Sequence, residues 1–143
     1  IYGGANVGLM EATAEHVKKH GGSITGIITH RICDYGKASR LPDELIRVDT
    51  LGERKQIMLD KADVFIALPG GFGTLDEIFT VIAAGHLGYH DKKVVFCNTN
   101  GFYNLLINQI ELFYRERFAS PHYKNYYQIA TNAEECIRIL ENF

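Results

Sequence analysis

The chain is short of cysteine, of unbalanced charge and of long apolar runs, and each shortage excludes something. Cys33, Cys97 and Cys136 are its only cysteines. Their odd number and wide spacing fit neither a disulfide framework nor a zinc site, which points to reduced thiols in a cytoplasmic protein. The formal net charge is -2, which gives no reason to expect a nucleic acid or an acidic membrane surface as partner. No apolar stretch approaches the roughly 20 residues that span a bilayer, and no signal peptide is read. His16, His20, His30, His86, His90 and His122 lack metal-ligand spacing, so no metal is expected. No Ser or Cys carries a nucleophile signature. The 143 residues are 46% hydrophobic and 22% charged, the make-up of one globular domain with its own core.

Apolar runs and breaks alternate along the chain. Strands are expected at 24–28, 45–48, 64–68, 93–97 and 127–130, and helices near 9–20, 51–62, 74–84, 102–118 and 133–140. Residues 30–44 read as a loop long enough to be functional. This pattern implies an α/β fold with a mostly parallel sheet covered on both faces, in one domain over residues 1–143. Ile1-Tyr2-Gly3-Gly4 reads as the end of a strand entering a glycine turn, so an earlier strand and helix are expected upstream.

The most informative stretch is Pro69-Gly70-Gly71-Phe72-Gly73-Thr74-Leu75-Asp76-Glu77. It joins the apolar run 64–68 to the apolar run 78–84, so it reads as a strand, a glycine loop and a helix N-terminus. Such a junction holds phosphates, because free N–H groups and the positive end of the helix dipole meet at one point. The glycines could instead serve only a tight turn. The loop is not a P-loop, since no Lys-Ser/Thr follows, and the dinucleotide spacing fails too. Thr74 and Glu77 have the spacing of a capping box, which is their plain structural reading. The functional reading places Glu77 beside the reacting sugar.

Arg54 lies between Leu51 and Met58, bordering an expected apolar stripe that runs on to Ala62. It either snorkels to solvent or offers a fork-shaped donor to phosphate or ribose oxygens. Lys55 reads as a surface charge. Gly3-Gly4-Ala5-Asn6-Val7-Gly8 opens a helix and is either a glycine turn or a second nucleotide contact. Tyr123, Tyr126 and Tyr127 are expected to pack or to line an interface.

These pieces resemble the Lonely Guy (LOG) family, cytokinin riboside 5'-monophosphate phosphoribohydrolases long labelled lysine decarboxylases. The matching residues are Tyr2-Gly3-Gly4 with Gly8-Leu9-Met10, Arg54-Lys55, Pro69 to Glu77, Leu87-Gly88 with His90-Asp91-Lys92, and Asn98 with Gly101-Phe102-Tyr103-Asn104. Their order and spacing agree from end to end. The resemblance implies a Rossmann-like three-layer fold and hydrolysis of the N-glycosidic bond of a nucleoside 5'-monophosphate, with no metal and no cofactor. It makes Arg54 and Glu77 the catalytic pair. Gly70, Gly71, Phe72, Gly73 and Thr74 would bind the phosphate, and Gly4, Gly8, Met10 and Lys55 would also touch substrate. It further implies a homodimer with each site completed at the interface.

The chain departs from the plant-type pattern at three places. Gly36 stands where a substrate-facing Glu is usual, Ala83-Ala84-Gly85-His86 replaces Thr-Trp-Ala-Gln, and Leu51-Gly52 replaces Met-His. These changes fall on the base side, so AMP itself joins the N6-prenylated nucleotides as an expected substrate. A non-catalytic nucleotide-sensing module is the competing reading. Lysine decarboxylation needs a Schiff-base lysine and a cofactor site, for which the sequence makes no case.

Overall fold

The computed structural model describes residues 1–143. Their contacts divide the chain into two compact units, Ile1–Ala62 and Asp63–Phe143.

In the first unit, helix α1 (Gly8–Lys19) leads to strand β1 (Thr25–Thr29), helix α2 (His30–Asp34), strand β2 (Glu44–Val48) and helix α3 (Leu51–Lys61). β1 and β2 pair in parallel, from Thr25 opposite Glu44 to Thr29 opposite Val48. Tyr2 forms a parallel bridge to Gly26, its N–H on the Thr25 carbonyl and its own carbonyl on the Ile27 N–H. β1 therefore has partners on both edges, and Ile27 and Ile28 are fully buried. The stretch expected to be loop from residue 30 contains α2, a helix too short to show a hydrophobic period.

The second unit runs through strand β3 (Phe65–Ala67), helix α4 (Phe72–His86), strand β4 (Val94–Cys97), a 3₁₀ turn (Thr99–Gly101), helix α5 (Asn104–Arg115), a second 3₁₀ turn (Pro121–Tyr126), strand β5 (Tyr127–Ala130) and helix α6 (Ala133–Leu140). The strands pair in parallel in the order β3-β4-β5. The central strand β4 is buried along its whole length, as a continuous apolar run in a parallel sheet requires. Cys97 and Cys136 are buried together against Val95 and Ala130 and are free thiols, as is Cys33.

Three expectations need correction here. The helix expected over 102–118 spans only 104–115, because Asn100 and Gly101 take left-handed backbone before it and Arg117 does so after it. Strand 64–68 shrinks to β3, whose Ile66 is exposed. The run 78–84 does not make a wholly buried helix. Ile78, Val81, Ile82 and Gly85 form the buried stripe of α4, and Phe79 and Ala83 face out.

The tyrosines expected to pack do so. Tyr123 stacks on His86 at 3.8 Å between ring centroids. Tyr126 lies so close to Gly85 that a Cβ there would meet its ring at 2.5 Å. The Tyr127 hydroxyl meets that of Tyr114 at 3.0 Å.

Candidate functional site

Two sets of predicted site residues lie one in each unit. In the first unit, local sequence sets the start of α3 and with it the place of Arg54. Thr50 caps the helix by accepting from the Glu53 N–H at 3.1 Å, and Glu53 accepts from the Asp49 N–H at 3.1 Å. The first contact satisfies a donor that a helix N-terminus leaves open, and the second ties the residue before the cap to the same turn. Arg54 follows at once. It is 8% exposed and is the one buried residue of α3. The apolar stripe expected around it is incomplete, since Leu51 is exposed while Met58 and Ala62 are partly buried. The helix turns its arginine inward instead.

The guanidinium finds protein oxygen there. Its Nε donates to the Ile27 carbonyl at 2.7 Å and its Nη2 to the Gly3 carbonyl at 3.3 Å. A solvated or snorkelling Arg54 is thus ruled out. Gly3 explains itself by the same contact, because a Cβ there would lie 2.6 Å from Arg54 Nη2 and 2.7 Å from Met10 Sδ. The structure thereby brings Arg54, Met10 and the first glycine loop together. Lys55 is partly buried rather than a surface charge.

Gly4 and Gly8 differ in kind. Gly4 is buried at φ 71°, and a Cβ on it would press on Ile28 and Leu45 at 3.2 Å. Its place is therefore set by packing on β1. Gly8, at φ 55°, opens α1 and has free space where a Cβ would be. Only Gly adopts such a conformation without cost.

In the second unit, β3 delivers the chain to Pro69 and the glycine loop. Gly71 is the residue before α4, and Leu75 N–H donates to its carbonyl at 3.1 Å. The N–H groups of Phe72, Gly73 and Thr74 precede the first intrahelical bond and so open outward from the helix end. The expected capping box is corrected. Because the helix starts at Phe72, Thr74 already lies inside its first turn and makes no side-chain cap.

Thr74 instead folds over Gly70, where a Cβ would meet its Oγ1 at 2.2 Å. Gly70 is small to admit Thr74. Gly71 and Gly73 have nothing within 4 Å of a Cβ position, so the space in front of them is open. Phe72 stands out from this loop at 94% exposed. Glu77 comes one turn further along α4 and is partly buried.

The geometry gives individual roles to two residues that the sequence showed only as parts of motifs. One is Gly3, placed by Arg54 as described. The other is Tyr103, 2% exposed, whose hydroxyl donates to the Leu68 carbonyl at 2.5 Å just before the glycine loop. Burial raises its pKa above the ordinary 10.0, so the phenol keeps its proton. The available signal was the motif Gly101-Phe102-Tyr103-Asn104, which no chemistry had explained.

Residues 10–140 match the family model described as possible lysine decarboxylase. A cytokinin riboside 5'-monophosphate phosphoribohydrolase of Arabidopsis thaliana is 38% identical over the whole chain, which spans 63% of that relative's length. A probable enzyme of the same name from Oryza sativa subsp. japonica is 34% identical, again over the whole chain and 63% of the relative. Among solved structures, the molybdenum cofactor binding protein from the phototrophic bacterium Rippkaea orientalis superposes with a TM-score of 0.66 and 27% identity, over 98% of this chain and 74% of that one. The parallel α/β architecture is accordingly Rossmann-like. From its matched residues and the identity to these relatives, the chain belongs to the LOG family, whose model carries the older lysine decarboxylase label.

Proposed function

We propose that this protein hydrolyses the N-glycosidic bond of a nucleoside 5'-monophosphate, either AMP or an N6-modified AMP of the cytokinin ribotide type. Water adds to the ribose C1' as the C1'–N bond breaks. The base leaves with a proton, and ribose 5-phosphate remains. The observation that carries this reading is the glycine loop. Outward N–H groups at the end of a 15-residue helix face open space at Gly71 and Gly73, with a carboxylate one turn along. Such an end binds a phosphate through N–H donors and the helix dipole together. The names of the plant relatives point the same way.

Cleavage builds positive charge on the ribose, as in glycoside hydrolysis. Glu77 stabilises that charge and orients the water. Arg54 holds the phosphate or ribose from a rigid seat on the Ile27 and Gly3 carbonyls. Gly70 and Thr74 keep the loop in shape, and Met10 and Lys55 complete the substrate contacts near Arg54.

Replacing Gly73 with Ala separates binding from folding. The new methyl meets no protein atom within 4 Å, and Ala favours a helix over Gly by about 0.5–1 kcal/mol. The expected variant melts at the same or a higher temperature. Its KM for the nucleotide rises at least about tenfold, because the methyl occupies the anion's place. Thermal melts beside initial rates check both halves.

The working form is proposed to be a cytoplasmic homodimer with sites completed at the interface. A groove of about 270 Å³ in the second unit is lined by Phe79, Ile110, Phe113 and Phe118 and offers an apolar surface for a second copy. Phe118, 86% exposed, is the residue to change. Phe118→Asp is expected to shift the protein to monomer in sedimentation, and an unchanged dimer excludes this face.

Nucleotide binding without hydrolysis is the second reading. It is favoured by the likeness to a cofactor binding protein. Assay of free base after incubation with AMP and with N6-isopentenyl-AMP separates the two.

A further inference from the structure

Tyr103 is held with more care than a core aromatic needs. Its backbone N–H donates to Asn98 Oδ1 at 2.7 Å, and Asn98 Nδ2 donates to Asn104 Oδ1 at 2.8 Å. Asn98 is itself tied to β5 through its N–H on the Ala130 carbonyl at 2.7 Å. The turn between them needs left-handed backbone at Asn100 (φ 54°) and Gly101 (φ 70°). A Cβ on Gly101 would strike the Asn104 side chain at 2.5 Å. The ring then meets Phe96 edge-on, with centroids 5.3 Å apart. All of this fixes the direction in which the hydroxyl points.

That hydroxyl holds the residue just before Pro69. It donates to the Leu68 carbonyl at 2.5 Å. Pro69 has no N–H of its own and a fixed φ. The chain between strand and loop is therefore pinned at Leu68 and stiff at Pro69. The open helix donors begin at Phe72, and the space at Gly71 and Gly73 is open.

We infer that Tyr103 is the positioning residue of the anion loop: its hydroxyl anchors the Leu68 carbonyl at the entry to that loop and so sets the direction of the Phe72 to Thr74 donors toward the phosphate. This rests on the phosphate role proposed above for that loop. A buried tyrosine that merely satisfies its hydroxyl would affect folding alone, so the test reads binding separately.

The experiment compares wild type with Tyr103→Phe, which keeps the ring and its contact with Phe96. Three quantities are measured well below the melting temperature: KM and kcat for AMP, the dissociation constant of ribose 5-phosphate by calorimetry, and the melting temperature itself. The expected result is a KM and a ribose 5-phosphate dissociation constant each raised about tenfold, the worth of one hydrogen bond, with kcat within about threefold of wild type. Unchanged KM and ribose 5-phosphate affinity in a folded variant overturn the inference, even if the melting temperature falls. If wild type binds ribose 5-phosphate but releases no base from AMP, hydrolysis is refuted while the calorimetric arm still decides on Tyr103. If wild type binds no ribose 5-phosphate, the inference falls with the loop's phosphate role.

Discussion

Glu77→Gln is expected to lower release of free base by about 10²–10⁴-fold, the usual contribution of a positioned carboxylate, while nucleotide monophosphate still binds. Gln matches Glu in size but carries no charge to set against a cationic ribose and no base to draw a proton from water. The proposed phosphate donors lie earlier on the same helix, at Phe72 to Thr74, and do not depend on the carboxylate. Loss should therefore appear in kcat, with KM changed little. That split identifies an interaction made in the transition state rather than in binding. Near-normal turnover in this variant would remove Glu77 from the chemistry.

Arg54→Ala is expected to damage both the fold and the reaction. The guanidinium is buried and supplies charged donors to two main-chain carbonyls, of Ile27 in β1 and of Gly3 in the first loop. Leaving both without that donor costs about 2–4 kcal/mol, a large part of the roughly 5–15 kcal/mol that holds a domain. A melting temperature lowered by several degrees is the expected reading, with base release lost at a temperature where the variant is still folded. Arg54→Lys tests the fork itself. One ammonium on a flexible stem cannot reproduce two directed N–H bonds, so partial stability and little activity are expected. A lysine variant with full activity would show that charge alone suffices at this position.

Much of this was legible beforehand because it rests on local chemistry. The limits of β5 and α6 follow from apolar period, and the structure adds the cap of α6, Asn132 accepting from the Glu135 N–H. The glycine loop was legible because Pro, Gly and Thr leave so few backbone choices. What stayed hidden depends on packing between residues far apart in sequence. Arg54 was ambiguous because helical spacing alone cannot say whether an arginine faces water or a carbonyl 27 residues away. The start of α4 was misplaced because Thr74 has ideal capping spacing, yet Gly71 and Gly73 let the helix begin earlier and free Thr74 to cover Gly70. Tyr103 lies 35 residues from the carbonyl it holds, and only the parallel pairing of β3 with β4 brings it there.

Family membership and the loop's geometry leave one decision, between hydrolysis and simple binding. The most direct measurement incubates the full-length protein with AMP and with N6-isopentenyl-AMP and separates the products by chromatography. Release of adenine or of N6-isopentenyladenine in step with ribose 5-phosphate is the expected result, abolished in Glu77→Gln. Intact nucleotide after prolonged incubation, from a protein that calorimetry shows to bind it, would contradict the hydrolase reading and leave a binding module in its place.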